Sequence, residues 1–392
     1  MKTQVAIIGG GPAGLLLAEI LNRAGIESVV LEARSREYVL SRIRAGVLEQ
    51  GTVEVLRANG LGERMDRDGH PHDGAAIVWA GRDRYFIDSR KHVGKRFMTY
   101  GQTNIQEDLF AAADRRQAVL LMEAEDVQPH DMTSERPYVS LRHNGLNLRL
   151  DCDFIAGCDG FHGVSRKSIP PSILREFEKV YPFGWLGVLS ETPPLNELVY
   201  CNHPRGFALA SQRNPMLSRY YLQVPLEDKV EEWSDERFWS ELKARYPQDI
   251  AERIVTGPSI EKSIAPLRSF VAEPMRHGRL FLAGDAAHIV PPTGAKGLNL
   301  AVSDVFYLSR ALKAFYGQGS STLLDSYSDM ALRRVWSSVR FSWWLTNLLH
   351  RFPGMTDFEQ RAQECELQYL ASSQHASASV AEQYAGLPFE PA

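Results

Sequence analysis

Three glycines near the N-terminus have the type and spacing that a pyrophosphate-binding turn requires. Gly9, Gly11 and Gly14 form the pattern G-x-G-x-x-G between a short apolar run and a helical segment. The first glycine permits a tight turn, the second lets the backbone approach an anion, and the third lets helix and strand pack closely. Glu32 ends a second apolar run, where a carboxylate can accept a hydrogen bond from a ribose hydroxyl. The segment therefore predicts a dinucleotide-binding βαβ unit.

Polar side chains on two neighbouring predicted strands indicate a second site, which suits an anion. Alternation places Ser211 and Arg213 on one face of a strand, and Arg219 and Tyr221 on one face of the next. If residues 214–218 form the hairpin loop, Ser211 lies opposite Tyr221 and Arg213 lies opposite Arg219. Two opposed arginines repel each other unless an anion lies near them. The competing interpretation is a solvated polar face that binds no ligand.

The two predicted sites lie in stretches with different patterns of apolar and aromatic residues, and these patterns predict the fold class. The N-terminal segment reads as strand, helix and strand, and a buried strand returns at 280–283 before a long helical pattern. Residues 177–224 alternate or are rich in aromatics, with prolines between the runs, as in an antiparallel sheet. We predict a mixed α/β fold with a Rossmann-like βαβ domain (1–72, 97–180 and 268–320), an inserted antiparallel-sheet domain (73–96 and 181–267) and a C-terminal helical region (321–392).

Composition excludes several classes of partner. The 392 residues include 44 Lys and Arg against 48 Asp and Glu, so no basic surface for nucleic acid is expected. No apolar run is long enough for a membrane helix and no signal segment precedes the first strand, which predicts a cytoplasmic protein. We expect the aromatic segment Arg340–Arg351 to pack on the core or at a subunit contact rather than on a membrane. No metal site is predicted, and the cysteines are expected to be reduced thiols, because metal-ligand spacing is lacking at Cys152, Cys158, Cys201 and Cys365.

Two later motifs, together with the glycine turn, indicate which dinucleotide is bound. Gly284-Asp285 ends a buried strand before a loop of prolines and glycines, and Asp159-Gly160 lies in another acidic turn. In their order along the chain, the glycine turn, Asp159-Gly160 and Gly284-Asp285 resemble the fingerprints of the FAD-dependent aromatic hydroxylases. Within that family, further segments across nearly the whole chain resemble the hydroxylases that act on 4-hydroxybenzoate. These segments are Arg42–Gly51, Tyr100–Gln102, Tyr181–Gly187, His203–Ala208, Pro266–Phe270, Pro291–Asn299 and Tyr384–Pro388.

The resemblance implies a monooxygenase reaction at a phenol. Such enzymes transfer one oxygen atom from a flavin C4a-hydroperoxide to 4-hydroxybenzoate, giving 3,4-dihydroxybenzoate and consuming O2 and a reduced nicotinamide. A phenol has a pKa of about 10, so its deprotonation near neutrality needs a hydrogen-bonded route to solvent. By resemblance, Tyr200, Tyr384 and His72 form this proton relay, and the Pro292 carbonyl faces the substrate hydroxyl.

The resemblance also assigns the contacts to substrate and FAD. Ser211, Gln212, Arg213 and Tyr221 are expected around the substrate together with Tyr200 and Pro292, and Arg219 is expected on the flavin side. A benzoate carboxylate needs a cation and hydroxyls, because a buried unpaired charge is costly. The residues expected to bind FAD are Gly9, Gly11, Ala13, Gly14, Glu32, Arg42, Ile43, Arg44, Ala45, Gly46, Val47, Gln102, Asp159, Asp285, Leu298 and Asn299.

The nicotinamide nucleotide is expected to bind without a second Rossmann domain. The resemblance assigns it to Arg34, Tyr38, Arg42, Arg44, His162 and Arg268. Members of the family that select NADPH carry an arginine directly after the glutamate, whereas this chain has Ala33. Arg34 or Arg36 remains available for a 2′-phosphate, so NADPH is favoured and NADH stays open. The resemblance also implies a homodimer.

Other functions are compatible with parts of the sequence. The same chemistry on an amino- or dihydroxybenzoate would retain the motifs, although the full set of residues at both ends favours 4-hydroxybenzoate. A non-catalytic flavin-binding redox sensor would need no proton relay of Tyr200, Tyr384 and His72. A plain NAD-dependent dehydrogenase would need no Gly284-Asp285 motif.

Overall fold

The structure, a computed structural model, describes residues 1–41, 46–79 and 83–389. The strands are β1 (Val5–Ile8), β2 (Ser28–Glu32), β3 (Val47–Leu48), β4 (His70–His72), β5 (Gly74–Trp79), β6 (Asp83–Asp88), β7 (Phe97–Thr99), β8 (Val119–Met122), β9 (Glu125–His130), β10 (Tyr138–His143), β11 (Leu146–Asp151), β12 (Phe154–Gly157), β13 (Arg175–Ser190), β14 (Val199–Cys201), β15 (Ala208–Asn214), β16 (Leu217–Val224), β17 (Ser259–Glu273), β18 (Arg276–His277), β19 (Leu280–Leu282) and β20 (His288–Ile289). The helices are α1 (Pro12–Arg23), α2 (Arg36–Leu40), α3 (Gln50–Ala58), α4 (Glu63–Asp68), α5 (Ser89–Val93), α6 (Gln102–Arg115), α7 (Asp235–Arg245), α8 (Gln248–Ala251), α9 (Gly297–Gln318), α10 (Thr322–Leu349), α11 (Asp357–Ser372) and α12 (Gln374–Ala385). Four residues that the sequence assigns to cofactor binding lie outside the described residues: Arg42, Ile43, Arg44 and Ala45.

A mostly parallel sheet forms one layer and contains the predicted βαβ unit. β1 lies between two parallel neighbours, with Val5 opposite Ser28 of β2 and opposite Phe154 of β12. All four residues of β1 are buried, as expected for a central strand covered on both faces. The strand order is β18-β19-β12-β1-β2-β8, so segments far apart in the sequence complete one sheet.

A larger sheet contains a row of directly opposed residues across four of its strands. The strand order of this sheet is β20-β17-β13-β16-β15-β14-β5-β6. Tyr200 of β14 lies opposite Leu209 of β15, and Leu209 lies opposite Tyr221 of β16. Tyr221 in turn lies opposite Gly187 of β13. Because directly opposed residues project to the same face of a sheet, these four residues form one row.

The β15–β16 hairpin has a different register from the predicted one. Ser211 lies opposite Arg219 and not opposite Tyr221. The loop is shorter than predicted, because Asn214 pairs with Leu217 and leaves only the residues between them as the turn. The Asn214 side-chain oxygen accepts a hydrogen bond at 2.8 Å from the backbone N–H two residues later, which closes this tight turn.

A β-bulge at Arg213 is the second departure in this hairpin. The pairing shifts between Gln212 and Asn214, so Arg213 is the extra residue and does not lie opposite Arg219. The predicted register of the hairpin was therefore wrong. Ser211 and the row of residues described above nevertheless share one face, because the pairing moves by an even number of residues.

Long helices complete the fold. α9 packs against α1 and α10, and α12 packs against α5 and β6. Tyr384 of α12 belongs to the same buried apolar cluster as Tyr200 and Phe207, so the helix covers the face of the sheet that carries the row. The second half of α10 buries Phe341 and Leu345. Among the described residues, no helix is both long enough and apolar enough to cross a membrane.

Candidate active site

The turn between β1 and α1 is closely packed except at Gly11. An ideal Cβ built on Gly9 would lie 2.2 Å from the Cys158 carbonyl oxygen, and one on Gly14 would lie 1.9 Å from the Gly9 carbonyl oxygen. A Cβ on Gly11 would meet no atom within 4 Å. Gly11 is the N-cap of α1, and no side chain caps the helix, so the first N–H groups of the helix stay open to a ligand. This space suits the pyrophosphate of a dinucleotide.

Glu32 stabilises the glycine turn by accepting a hydrogen bond from its backbone. Its Oε2 accepts a hydrogen bond from Gly10 N at 2.7 Å, and its Oε1 accepts one from Arg34 N at 2.9 Å. Gln106 Nε2 donates to the Gly10 carbonyl at 2.9 Å on the other side. A carboxylate oxygen has a second lone pair, so Glu32 retains the capacity to accept from a ribose hydroxyl.

The Gly284-Asp285 turn meets the glycine turn through α1. A Cβ on Gly284 would lie 3.5 Å from the Ala13 Cβ, and Asp285 is half-buried beside it. Gly284 N donates at 2.8 Å to Asp304 Oδ2, and His288 Nε2 lies 2.6 Å from the same oxygen. The two motifs, far apart in the sequence, are therefore held together at one edge of the parallel sheet.

Asp159 is half-buried and accepts hydrogen bonds from within its own loop. Its Oδ2 accepts hydrogen bonds from Ser165 N at 2.9 Å and from Ser165 Oγ at 3.0 Å. Burial raises the pKa of the Asp159 carboxyl. Its Oδ1 is buried and has no hydrogen-bond partner among the described residues, so this oxygen is the atom through which Asp159 could contact a cofactor.

The start of α9 offers backbone donors, because the Asn299 side chain is fully occupied. Its four partners are Glu49 N (2.9 Å), Thr52 Oγ1 (2.7 Å), the Val47 carbonyl (3.0 Å) and the Ala295 carbonyl (2.7 Å). The first N–H groups of a helix, including that of Leu298, have no acceptor within the helix. These N–H groups, and not the Asn299 amide, suit the carbonyl edge of a flavin.

Three further residues predicted to contact FAD meet beside this helix start. Tyr100 N donates to the Gly46 carbonyl at 2.7 Å, and a Cβ on Gly46 would lie 2.3 Å from the Tyr100 carbonyl oxygen. Val47 follows Gly46 in β3, and Gln102 begins α6 just after Tyr100. The close approach brings Gly46, Val47 and Gln102 into one region.

Tyr200 and Tyr384 share a buried hydrogen bond. Their hydroxyl oxygens are 2.9 Å apart, and the Tyr200 hydroxyl donates to the Thr293 carbonyl at 3.0 Å. Tyr200 has one hydroxyl proton, so in this arrangement it accepts from Tyr384. Pro292 precedes Thr293, and its carbonyl accepts from Ala295 N at 2.9 Å. Burial raises the pKa of both tyrosine hydroxyls, so the pair can pass a proton but does not hold a negative charge near neutrality.

His72 lies close to this pair without a direct hydrogen bond to it. Its ring stacks on Phe97 at 5.2 Å between centroids, and Phe97 meets Tyr384 edge-on at 5.3 Å. His72 Nε2 is buried and has no hydrogen-bond partner in the described part of the chain. Burial lowers the pKa of His72, so its ring is neutral near pH 7 and can accept a proton.

Arg213 is a half-buried cation that forms no ion pair among the described residues. Its Nη1 donates to the Gln212 carbonyl at 2.9 Å, and its Nη2 lies 3.5 Å from the Tyr221 hydroxyl. Its Nε has no hydrogen-bond partner within the described residues, and burial lowers the pKa of the guanidinium. Arg219, by contrast, lies 3.1 Å from Glu261 Oε1. An anion bound here would pair with Arg213 and offset the cost of its burial.

Ser211 and Arg219 are already tied to each other. The Ser211 hydroxyl donates to the Arg219 carbonyl at 2.8 Å, so it must turn before it can donate to an anion. The Arg219 guanidinium lies 5.2 Å from the centre of the Tyr221 ring. Ser211, Arg213 and Tyr221 are therefore neighbours, and Arg219 and Tyr221 both lie beside Gly187. Gln212 instead donates to the Leu195 carbonyl, and Leu195 belongs to the apolar cluster on the opposite face of the sheet.

The residues predicted for the nicotinamide nucleotide fall into two local groups. The Arg34 guanidinium lies 5.2 Å from the centre of the Tyr38 ring. The Arg268 guanidinium lies 4.8 Å from the centre of the Phe161 ring, and Phe161 contacts His162 edge-on. The other two predicted arginines, Arg42 and Arg44, lie outside the described residues.

Comparison with known proteins identifies the family. A family model described as an FAD binding domain matches residues 2–342. Over 392 residues the chain is 54% identical to the p-hydroxybenzoate hydroxylase of Acinetobacter baylyi, covering 100% of this chain and 96% of that protein. The chain belongs to the p-hydroxybenzoate hydroxylase family.

More distant similarities extend to another hydroxylase and to a solved structure with the same fold. The chain is 26% identical over 340 residues to the 3-(3-hydroxy-phenyl)propionate/3-hydroxycinnamic acid hydroxylase of Mycolicibacterium gilvum, covering 83% of this chain and 56% of that protein. The solved structure of p-nitrophenol 4-monooxygenase from Pseudomonas putida DLL-E4 superposes with a TM-score of 0.83 at 19% identity and covers 99% of both chains. The latter match confirms the predicted mixed α/β fold.

A buried charge cluster in this family member was missed from the sequence. Lys296 Nζ lies 2.6 Å from Glu49 Oε1 and donates to the Tyr384 carbonyl at 3.1 Å. Arg334 Nη2 donates to Glu49 Oε2 at 2.9 Å. Lys296 lies within the Pro291–Asn299 segment, and no local pattern of the sequence links it to Glu49 or Arg334.

A pair of glycine substitutions separates cofactor binding from folding. Gly11→Ala places a methyl group in open space at an ordinary backbone φ of −72°, so the melting temperature of the apoprotein should not change. The Kd for FAD should rise roughly tenfold or more, because the methyl group enters the space for the pyrophosphate. Gly14→Ala should instead destabilise the apoprotein by about 1–3 kcal/mol through overpacking against Gly9.

Calorimetry of the apoprotein and fluorescence titration with FAD measure both effects. Normal FAD affinity in a folded Gly11→Ala protein would show that the pyrophosphate does not lie at this turn.

Proposed function

We propose that the protein is an FAD-dependent monooxygenase that converts 4-hydroxybenzoate to 3,4-dihydroxybenzoate with O2 and NAD(P)H. The observation that carries this proposal is the row Tyr200–Leu209–Tyr221 across three neighbouring strands. Neighbouring strands lie about 4.8 Å apart, so the two tyrosine backbones are separated by roughly 10 Å. This separation accommodates one benzene ring with its hydroxyl towards Tyr200 and its carboxylate towards Tyr221. The name of the relative that is 54% identical supports the same substrate.

At the hydroxyl end, the substrate replaces the Thr293 carbonyl as the partner of Tyr200. The phenol donates to Tyr200, Tyr200 donates to Tyr384, and Tyr384 passes a proton through water towards His72. Because burial raises the pKa of both tyrosines, their protons shift together and no tyrosinate accumulates. Neutral His72 receives the proton. The substrate becomes a phenolate, whose ring carbon ortho to the oxygen is electron-rich enough to attack an electrophilic oxygen atom.

At the acid end, the substrate carboxylate supplies the anion that Arg213 lacks. The Arg213 Nε has no other hydrogen-bond partner among the described residues, and the Tyr221 hydroxyl is near its Nη2. Ser211 can add a hydrogen bond after its hydroxyl turns away from Arg219. Arg219 keeps Glu261 as its counterion and is therefore assigned to the flavin side.

The residues present fit FAD. When bound, FAD accepts a hydride from the nicotinamide nucleotide and supplies the activated oxygen atom. The open space at Gly11, the Glu32 carboxylate, the Asp285 turn and the first N–H groups of α9 would hold its pyrophosphate, ribose, ribityl chain and flavin edge. The protein part of the mechanism is to place the phenolate against this group and to exclude water.

For the reductant, NADPH is the preferred nucleotide in this proposal, with NADH open. Arg36 is paired with Asp114 at 2.8 Å, which leaves Arg34, stacked near Tyr38, as the candidate partner of a 2′-phosphate. We also propose that the chain has the three regions predicted from the sequence, forms a homodimer and is located in the cytoplasm.

The test of the proposed function is oxygen uptake with product analysis. The purified protein, loaded with FAD, is given 4-hydroxybenzoate and either NADPH or NADH. We expect the substrate to stimulate oxidation of one nucleotide, with 3,4-dihydroxybenzoate formed in equal amount. Nucleotide oxidation that yields peroxide without the catechol would contradict this substrate, and substituted benzoates would then be screened.

The Tyr200 hydroxyl is tested by Tyr200→Phe. The variant should bind FAD and substrate but lose hydroxylation roughly 10²-fold or more, because the phenol has no proton acceptor. The consumed O2 should then appear as peroxide. Tyr220→Phe is the matched control, since Tyr220 is also fully buried on β16 but belongs to the apolar cluster on the opposite face of the sheet. Normal product yield in Tyr200→Phe would remove Tyr200 from the relay.

The Arg213 guanidinium is tested by Arg213→Gln. The Kd for 4-hydroxybenzoate should rise about 30-fold or more, which corresponds to about 2 kcal/mol, because the carboxylate loses its cation. The neutral analogue 4-hydroxybenzamide serves as the control ligand, and its Kd should change little. Isothermal titration measures both constants. An equal loss for the two ligands would mean that Arg213 shapes the pocket without binding the carboxylate.

A further inference from the structure

We propose that His70 is a second histidine of the proton exit, which takes the proton that reaches His72 and releases it to solvent. The inference rests on the proposed function, in which Tyr200, Tyr384 and His72 carry the phenol proton. No motif of the sequence assigned a role to His70.

His70 and His72 project to the same face of β4. They are two residues apart on this strand and lie opposite Thr99 and Phe97 of β7. His72 is buried and stacks on Phe97, whereas His70 is only half-buried. β4 is an edge strand of the three-stranded sheet β3-β7-β4. His70 therefore lies between the buried His72 and the surface of the protein.

Each ring has a buried nitrogen atom for which the described residues provide no hydrogen-bond partner. The Nε2 atoms of His70 and His72 are buried, and neither has a hydrogen-bond partner in the described ranges of the chain. Buried polar atoms are normally satisfied by protein or by ordered water. A water molecule between the two rings would satisfy both nitrogens and would also conduct a proton from one to the other.

The groups around His72 favour onward transfer. Burial is the main cause of the lowered pKa of His72, and the charge of His70 lowers the pKa further. Gln212, from β15, acts in the opposite direction through a hydrogen bond. Phe97, from β7, carries no charge. A positive charge on His70 therefore disfavours a proton on His72, so loss of the proton from His70 to solvent favours the next transfer.

Asp73 is the acidic group nearest in sequence to His72, and it does not trap the proton. Its charge raises the pKa of His72, but its effect is the smallest of those acting on that ring. The Asp73 carboxylate is shared with two arginines, Arg90 at 3.3 Å and Arg96. Because these partners offset its charge, Asp73 favours the charged form of His72 only weakly.

The transfer moves one proton and changes no other bond. The His72 imidazolium loses an N–H proton to a ring nitrogen of neutral His70, directly or through one water molecule. The His70 imidazolium then gives a proton to solvent water, and both rings return to the neutral form. No oxidant or reductant takes part.

The test is His70→Gln in the FAD-loaded enzyme. A pH-indicator dye in a stopped-flow instrument reports the release of the phenol proton when 4-hydroxybenzoate binds. We expect release to slow roughly tenfold and to recover when free imidazole is added to the buffer. The control is His92→Gln on α5, which removes another half-buried histidine, and it should release the proton at the normal rate.

The pH profile gives a second, independent readout. His72 accepts a proton only while it is neutral, so turnover falls as the pH drops through the pKa of His72. Loss of the His70 charge removes one cause that lowers this pKa. The acid limb of the His70→Gln profile should therefore move to higher pH, whereas a merely structural substitution would lower the whole profile without moving the limb.

The possible outcomes separate the two proposals. Proton release and an acid limb equal to those of the wild type, with product formed normally, would overturn the role of His70 and leave the proposed function intact. Slower release that imidazole does not restore, with an unmoved limb, would also overturn it. Wild-type enzyme that makes no 3,4-dihydroxybenzoate would overturn the proposed function itself. If His70→Gln fails to fold, His70→Asn is measured in its place.

Discussion

Buried charges must be paired, and this requirement decides where the last helix lies. Glu49 is enclosed between Lys296 and Arg334, at 2.6 and 2.9 Å. The two cations outnumber this anion, and their remaining donors reach carbonyls of the segment that ends α12, including that of Tyr384. Loss of Glu49 would leave the two buried cations of this cluster without their anion, which is strongly destabilising. The Tyr384 hydroxyl therefore reaches Tyr200 because charge pairing elsewhere holds its backbone in place.

The candidate site is a junction between a sheet and this helix. The sheet supplies a row of fixed spacing, and the absence of a side chain at Gly187 allows two large neighbours to lie against β13. A Cβ at Gly187 would be 2.9 Å from both the Arg219 Nη2 and the Tyr221 Cε1. The helix supplies Tyr384, which the sheet cannot provide. Neither element alone contains both a proton path and an anion partner.

The sequence predicted those features that depend on neighbouring or alternating residues. The glycine turn and the shared face of Ser211 and Tyr221 are of this kind. The hairpin register was not predicted correctly, because the Asn214 turn and the Arg213 bulge shift the pairing without changing the alternation of the polar residues. The full occupation of the Asn299 amide was also missed, since its partners lie far away in the chain. The pairing of Tyr200 with Tyr384 was inferred from the family resemblance, because no pattern of spacing in the sequence indicates it.

The β15–β16 hairpin has a consequence for how such proteins diverge. The groups proposed to face the acid end of the substrate, from Ser211 to Tyr221, lie within one short continuous stretch. The proposed proton path instead draws on His72, Tyr200 and Tyr384, each in a different element. Substitutions confined to one hairpin can therefore change which ring acid is accepted while the proton path stays intact. Substrate range should drift readily between lineages with this fold, and the chemistry should be inherited almost unchanged.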